Sequence, residues 1–121
     1  MPLSGLRVLV VEDHDDSRDV LEQALTYAGA AVTAAASAKA ALESVDTVDV
    51  VVTDIAMPGH DGLWLLDEIR RRERRIPVIA LSGYSDAYVE RLAQATFDRV
   101  LRKPVDPWIL ADEIAAVART D

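Results

Sequence analysis

Short apolar runs alternate five times with helix-like segments along the 121 residues, and that alternation constrains the fold more than any other feature. The runs are Leu6–Val11, Ala31–Ala35, Val48–Thr53, Ile76–Leu81 and Phe97–Leu101. Runs dominated by Val, Leu and Ile, as in Val8–Val11 and Val50–Val52, predict strands buried on both faces. Such strands belong to a parallel sheet with right-handed crossovers and helices on both sides. The chain is therefore predicted to be α/β: one doubly wound parallel sheet of five strands, order 2-1-3-4-5, with five helices.

The helices are read from caps and stripes. Asp15 or Asp16 caps a helix from Ser17 to about Tyr27, with Val20, Leu21 and Leu25 inward and Gly29 ending it. Ser37 caps a short helix through Val45, with Leu42 inward. Leu63, Leu66 and Ile69 mark the third, which runs up to an arginine cluster. Ser85 or Asp86 starts the fourth, with Val89, Leu92 and Ala93 inward. Asp106-Pro107 opens the last, with Ile109, Leu110, Ile114 and Val117 as its apolar stripe.

Half of the residues are hydrophobic, which suits a single domain over residues 1–121. A net charge of −8 argues against a general grip on nucleic acid and against docking on an anionic membrane. There is no cysteine, which fits the cytoplasm. Met1–Gly5 leads into a strand with no signal peptide, and no run approaches the ~18 apolar residues of a membrane span.

Three of the apolar runs stop at charged residues: Glu12-Asp13, Asp54, and Arg102-Lys103-Pro104. In a doubly wound sheet the strand C-termini share one edge, and ligands bind where the winding reverses, between the first and third strands. Topology and charge thus select the same place. Carboxylates ~4 Å apart repel by about 4 kcal/mol at an effective dielectric near 20, so three of them need a cation or a retained proton. Mg²⁺ suits an all-oxygen set and leaves room for water and phosphate. Zinc is disfavoured, because there is no cysteine and the two histidines are not at metal spacing. A carboxylate beside Mg²⁺ is a nucleophile for phosphoryl groups. Lys103 offers a positive charge to phosphate oxygen, and Ser82 offers a hydroxyl donor.

Four blocks carry a family resemblance: Val8–Asp13; Val50–Gly59 with Asp61-Gly62; Pro77–Gly83; and Leu101–Pro104. In this order and spacing the chain resembles the receiver domains of bacterial two-component response regulators, with the flavodoxin-like fold of the chemotaxis regulator. The resemblance implies that Asp54 is the phosphoacceptor and that Glu12, Asp13, Asp54 and the Ala56 backbone carbonyl hold Mg²⁺. It implies that Ser82 and Lys103 contact the phosphoryl group and that the Lys103–Pro104 bond is cis. The donor is expected to be a sensor histidine kinase or histidine phosphotransfer protein. A downstream protein target is expected on the face of the fourth helix, fifth strand and last helix, with a homodimer possible on phosphorylation. The module is a switch more than a turnover enzyme, catalysing its own aspartyl phosphorylation and dephosphorylation.

Two positions depart from the family pattern. Val100 stands where an aromatic rotamer switch is usual, and Thr96 where a glycine usually precedes Phe97-Asp98. Ala56 cannot orient an attacking water, and Tyr84 is bulky enough to cover Asp54, so self-dephosphorylation is expected to be slow. His14 and His60 read as solvated loop residues, and Arg70–Arg75 as charge at a helix C-terminus. Trp64 and Trp108 fall off their helix stripes, and Trp108 is a candidate for a docking or dimer surface. A phosphatase with an aspartyl-phosphate intermediate usually has a second acid two residues after its nucleophile, where this chain has Ala56. The Gly-x-Ser-x-Gly of a serine hydrolase is absent. A receiver used only as a scaffold is disfavoured by the complete acidic set and the lysine.

Overall fold

The computed structural model describes residues 1–83, 90–92 and 94–119. Strands β1 (Arg7–Val11), β2 (Ala31–Ala35), β3 (Val50–Asp54), β4 (Val78–Ser82) and β5 (Arg99–Arg102) form one sheet in the order β2-β1-β3-β4-β5. Every pairing is parallel. The described helices are α1 (Asp15–Tyr27), α2 (Ala38–Ala41), α3 (Gly62–Arg70) and α4 (Pro107–Ala118), with a 3-10 turn at Val45–Thr47. The helix expected from Ser85 or Asp86 lies mostly outside the described residues, as does Tyr84; residues 90–92 are helical. No helix among the described residues is long and apolar enough to cross a membrane.

Strand alternation divides the core between the two faces of the sheet. Val8, Val10, Val50, Val52, Ile79 and Leu81 face α1 and α4, meeting Leu21, Leu25, Leu110 and Ile114. Leu9, Val11, Val51 and Val78 face α2 and α3, meeting Ala41, Leu65, Leu66 and Ile69. Burial of each leucine contributes about 2 kcal/mol. The central strands β3 and β4 are buried along their whole length, while β2 and β5 are partly exposed edges. An edge tolerates the alanines of β2, which bury little.

Three caps behave as predicted. Ser37 Oγ accepts from the Ala40 N–H at 3.1 Å, and Asp106 accepts from the Trp108 N–H at 2.8 Å ahead of Pro107. Gly29 sits at φ 108° where α1 ends, and a Cβ there would meet the Met1 Cβ at 2.7 Å. The Lys103–Pro104 bond is cis.

Other expectations are corrected. Helix α1 begins at Asp15, not Ser17, with His14 at its N-cap making no side-chain cap bond. Val20 is 59% exposed, because Leu21, Leu25 and Ala28 already fill the inward stripe. Helix α2 stops at Ala41 and leaves Leu42 half-buried; Ala38 and Ala41 face inward instead. In α3 the buried residues are Leu65, Leu66 and Ile69, which turns Leu63 partly outward. In α4 the stripe is Leu110, Ile114 and Val117 at spacings of four and three, and Ile109 is left 54% exposed. Strands β3, β4 and β5 each start two residues later than predicted, β3 and β4 ending one residue past their apolar runs on Asp54 and Ser82.

The arginine cluster ties the N-terminal edge of the sheet together. Arg70 donates to Asp98 at 2.9 Å and to the carbonyls of Ile76 and Thr96. Arg75 also pairs with Asp98, which accepts the Val78 N–H at 2.7 Å. Arg74 donates to the carbonyls of Val45 and Val48, Arg72 pairs with Asp46, and Arg71 with Asp67. Burial alone raises the Asp98 pKa, but hydrogen bonds from Arg75, Val78 and Arg70 outweigh it and hold the carboxyl below its ordinary value. These cations are all paired with carboxylates or carbonyls of the fold, although Arg71, Arg74 and Arg75 remain exposed.

Candidate functional site

The parallel register brings the ends of β1, β3 and β4 level. Val11 lies beside Thr53, and Asp54 beside Leu81. Glu12 follows β1 and is 1% exposed, and Asp54 closes β3 at 5%. Lys103 follows β5, with its backbone N–H bonded to the Ser82 carbonyl at 2.9 Å. Its ammonium stands 3.0 Å from Glu12 Oε2 and 3.0 Å from Asp54 Oδ2. Glu12, Asp54 and Lys103 therefore share one pocket, beside a cleft of about 620 Å³ that Glu12, Asp16, Gly83, Lys103 and Pro104 help to line.

The remaining bonds fix these side chains. Asp54 Oδ1 accepts the Ile55 N–H at 2.8 Å. Glu12 Oε1 accepts the His14 N–H at 3.1 Å, and the Glu12 carbonyl accepts from Arg18 at 3.0 Å. Gly62 opens α3 directly under β3: a Cβ there would lie 2.5 Å from the Asp54 carbonyl oxygen. The Asp61-Gly62 pair is thus a cap followed by a close approach, with Asp61 accepting the Trp64 N–H at 2.9 Å.

Electrostatics leave the pocket short of positive charge. Burial raises the Asp54 pKa, the Glu12 charge adds to the rise, and the Lys103 hydrogen bond only partly offsets it. Burial opposes the Lys103 charge, but its bonds to Asp54 and Glu12 hold the ammonium pKa above the ordinary value. Asp13 Oδ1 is buried with no hydrogen-bond partner among the described residues. Two carboxylates sharing one ammonium, with the orphaned oxygen of Asp13 next in the chain to Glu12, match the needs of a divalent cation with oxygen ligands.

Ser82 is at the end of β4 and buried, but its hydroxyl donates to the Gly83 carbonyl at 3.0 Å. Ala56 is exposed two residues beyond Asp54. Val100 is 47% exposed on β5. His14 is exposed at the start of α1, and its ligand atom lies within 4.8 Å of those of Glu12 and Asp13. His60 is exposed and stacks on Trp64 with ring centroids 3.8 Å apart. Trp64 is partly buried against the α2/α3 core, contrary to the sequence reading, whereas Trp108 is 61% exposed and meets Tyr27 edge-on. Sequence reasoning missed Arg18, whose place one turn inside α1 was the available signal, and the Ile55 N–H, which has no side-chain signal.

The family model of the response regulator receiver domain matches residues 8–115. The chain belongs to the response regulator receiver domain family. Receiver domains are signalling switches that interact with kinases and downstream effectors. This receiver is 40% identical over 116 residues to the DNA-binding transcriptional regulator NtrC of Escherichia coli K12, covering 93% of this chain and 24% of the regulator. It is 37% identical to an uncharacterized 14.6 kDa protein of Leptolyngbya boryana, covering 87% of this chain and 84% of that one. It also superposes on the response regulator receiver domain protein of Clostridium thermocellum with a TM-score of 0.83 and 30% identity, covering 93% of each chain. The receiver thus spans about a quarter of the length of the NtrC regulators it matches.

Proposed function

We propose that Asp54 accepts a phosphoryl group from the phosphohistidine of a sensor histidine kinase or histidine phosphotransfer protein. One observation carries this reading: the Lys103 ammonium lies 3.0 Å from both Asp54 Oδ2 and Glu12 Oε2, at the sheet edge where ligands of such folds bind. An Asp54 carboxylate oxygen attacks phosphorus, and the P–N bond of the phosphohistidine breaks. The electron pair stays with the leaving imidazole nitrogen, which takes a proton. The Ile55 N–H orients the acceptor carboxylate through Oδ1. Lys103 moves its hydrogen bond from Oδ2 to a phosphoryl oxygen. Ser82 turns its hydroxyl from the Gly83 carbonyl to another.

Glu12, Asp13, Asp54 and the Ala56 carbonyl would hold Mg²⁺, which when bound neutralises charge shared by the carboxylate and phosphoryl oxygens. The orphaned Asp13 Oδ1 supports this assignment. The absence of cysteine is compatible with a cytoplasmic partner set.

Phosphorylation biases the face formed by residues 90–92, β5 and α4, where a downstream protein or a second copy docks. Val100 has no ring to rotate inward, so the signal does not pass through an aromatic swing at that position. Return to the resting state is hydrolysis of the acyl phosphate by water, and Ala56 offers that water no hydrogen bond. Labelling with acetyl phosphate is expected to require Mg²⁺ and to vanish in Asp54→Asn; label retained in that variant would refute the acceptor. Ala56→Glu is expected to shorten the acyl-phosphate lifetime by about tenfold, measured as the decay of labelled protein.

A further inference from the structure

We infer that His14 turns the cation site of this receiver into a mixed nitrogen–oxygen site, suited to Mn²⁺ or Co²⁺ beyond what the carboxylates alone provide. The inference rests on the reading that Glu12 and Asp13 hold a divalent ion.

The local backbone explains why His14 is available. Glu12 is held by its N–H to the Ala35 carbonyl at 3.1 Å and by Arg18 on its own carbonyl at 3.0 Å. Its Oε1 folds back onto the His14 N–H at 3.1 Å, so the three residues form a tight hook after β1. His14 occupies the N-cap of α1, yet its side chain makes no cap hydrogen bond. One ligand atom each from Glu12, Asp13 and His14 lies within 4.8 Å of the others, a separation that metal–ligand bonds of about 2.0–2.2 Å bridge with small side-chain rotations.

Glu12 Oε2 and Asp54 Oδ2 are engaged by Lys103, and Asp54 Oδ1 by the Ile55 N–H. Among the described residues, Asp13 Oδ1 has no hydrogen-bond partner and the His14 side chain makes no cap bond. The ring is exposed, and one carboxylate oxygen of Asp13 lies within 4.8 Å of one of its nitrogens, so a cation held there takes one oxygen and one imidazole nitrogen. Mg²⁺ prefers oxygen ligands and sheds water reluctantly, whereas imidazole suits the later first-row dications, with affinity rising from Mn²⁺ to Co²⁺.

The test is calorimetric titration of the full chain with MgCl₂ and with CoCl₂ at one fixed pH, comparing wild type, His14→Ala and His14→Asn. Asparagine retains the capacity to cap α1, so a shared result in both variants excludes a folding effect. Both variants are expected to lose about tenfold in Co²⁺ affinity and to keep Mg²⁺ affinity within about twofold. The wild-type Co²⁺ complex should also show a strongly shifted imidazole N–H proton resonance that is absent from both variants. Equal losses for the two metals, or none for either, would overturn the role of His14 while leaving the carboxylate site standing. Undiminished binding of both metals by Asp13→Asn would overturn the underlying metal reading as well.

Discussion

At the N-terminal edge of the sheet Asp98 is surrounded by donors, whereas at the C-terminal edge Asp54 shares a single ammonium with Glu12. Both are aspartates at strand ends, and their protonation is shifted in opposite directions. Arg7 and Asp49 repeat the first pattern: the Arg7 hydrogen bond holds the Asp49 carboxyl down against a smaller effect of burial. Where positive charge suffices, ion pairs serve the fold. Where it falls short, the same chemistry leaves a demand that a cation or an incoming group can meet.

Removing an acceptor hub should cost most. Asp98→Ala strips Arg70, Arg75 and the Val78 N–H of their acceptor, and is expected to lower stability by about 3 kcal/mol at neutral pH. The check is the urea midpoint. The stabilisation from Asp98 is present above the ordinary value of 3.8 and is lost as pH falls through its lower folded value. The deficit of the variant should therefore shrink in acid, and a constant deficit would mean that packing, not charge, holds this edge.

Supplying the missing charge at the other edge comes next. Mg²⁺ at a hundred times its dissociation constant should stabilise the fold by about 2.7 kcal/mol, read as a rise in melting temperature. Asp13→Asn should abolish most of that rise. A melting temperature indifferent to Mg²⁺ would remove the contrast between the two edges.

The smallest effect has the opposite sign. Burial disfavours the Asp54 carboxylate, so its contribution favours the fold below 3.8 and is lost as pH rises through the raised folded value. Asp54→Asn should accordingly raise stability by about 1 kcal/mol at neutral pH, and thermal melts should show the gain disappearing near pH 3. A loss at neutral pH would mean that the Lys103 pair outweighs desolvation.

The strands and the charges at their ends were legible because continuous Val and Leu runs mark central parallel strands and Glu12, Asp54 and Lys103 terminate three of them. Helix faces were read less well. Val20 and Ile109 each sit next to a buried leucine, and adjacent residues on a helix point about 100° apart, so apolar character alone did not decide which turns inward. Trp64 was misjudged because the stacking of His60 and the half-buried wall of α3 depend on tertiary packing. The arginine cluster was read as helix-end charge, yet its acceptors include Asp98 and Asp46, more than twenty residues away in the chain. The orientation of Ser82 toward Gly83 follows from a hydroxyl rotation that no residue pattern encodes.

Gly62 ties motion at one residue to motion of a whole element. With no side chain, it lets the first turn of α3 rest against the Asp54 carbonyl, where even a methyl group would sit 2.5 Å from oxygen. The backbone of residue 54 and the α3 helix therefore have no slack between them. Any outward displacement of that carbonyl is passed to the helix as a rigid push, and Gly62→Ala would impose the same push permanently.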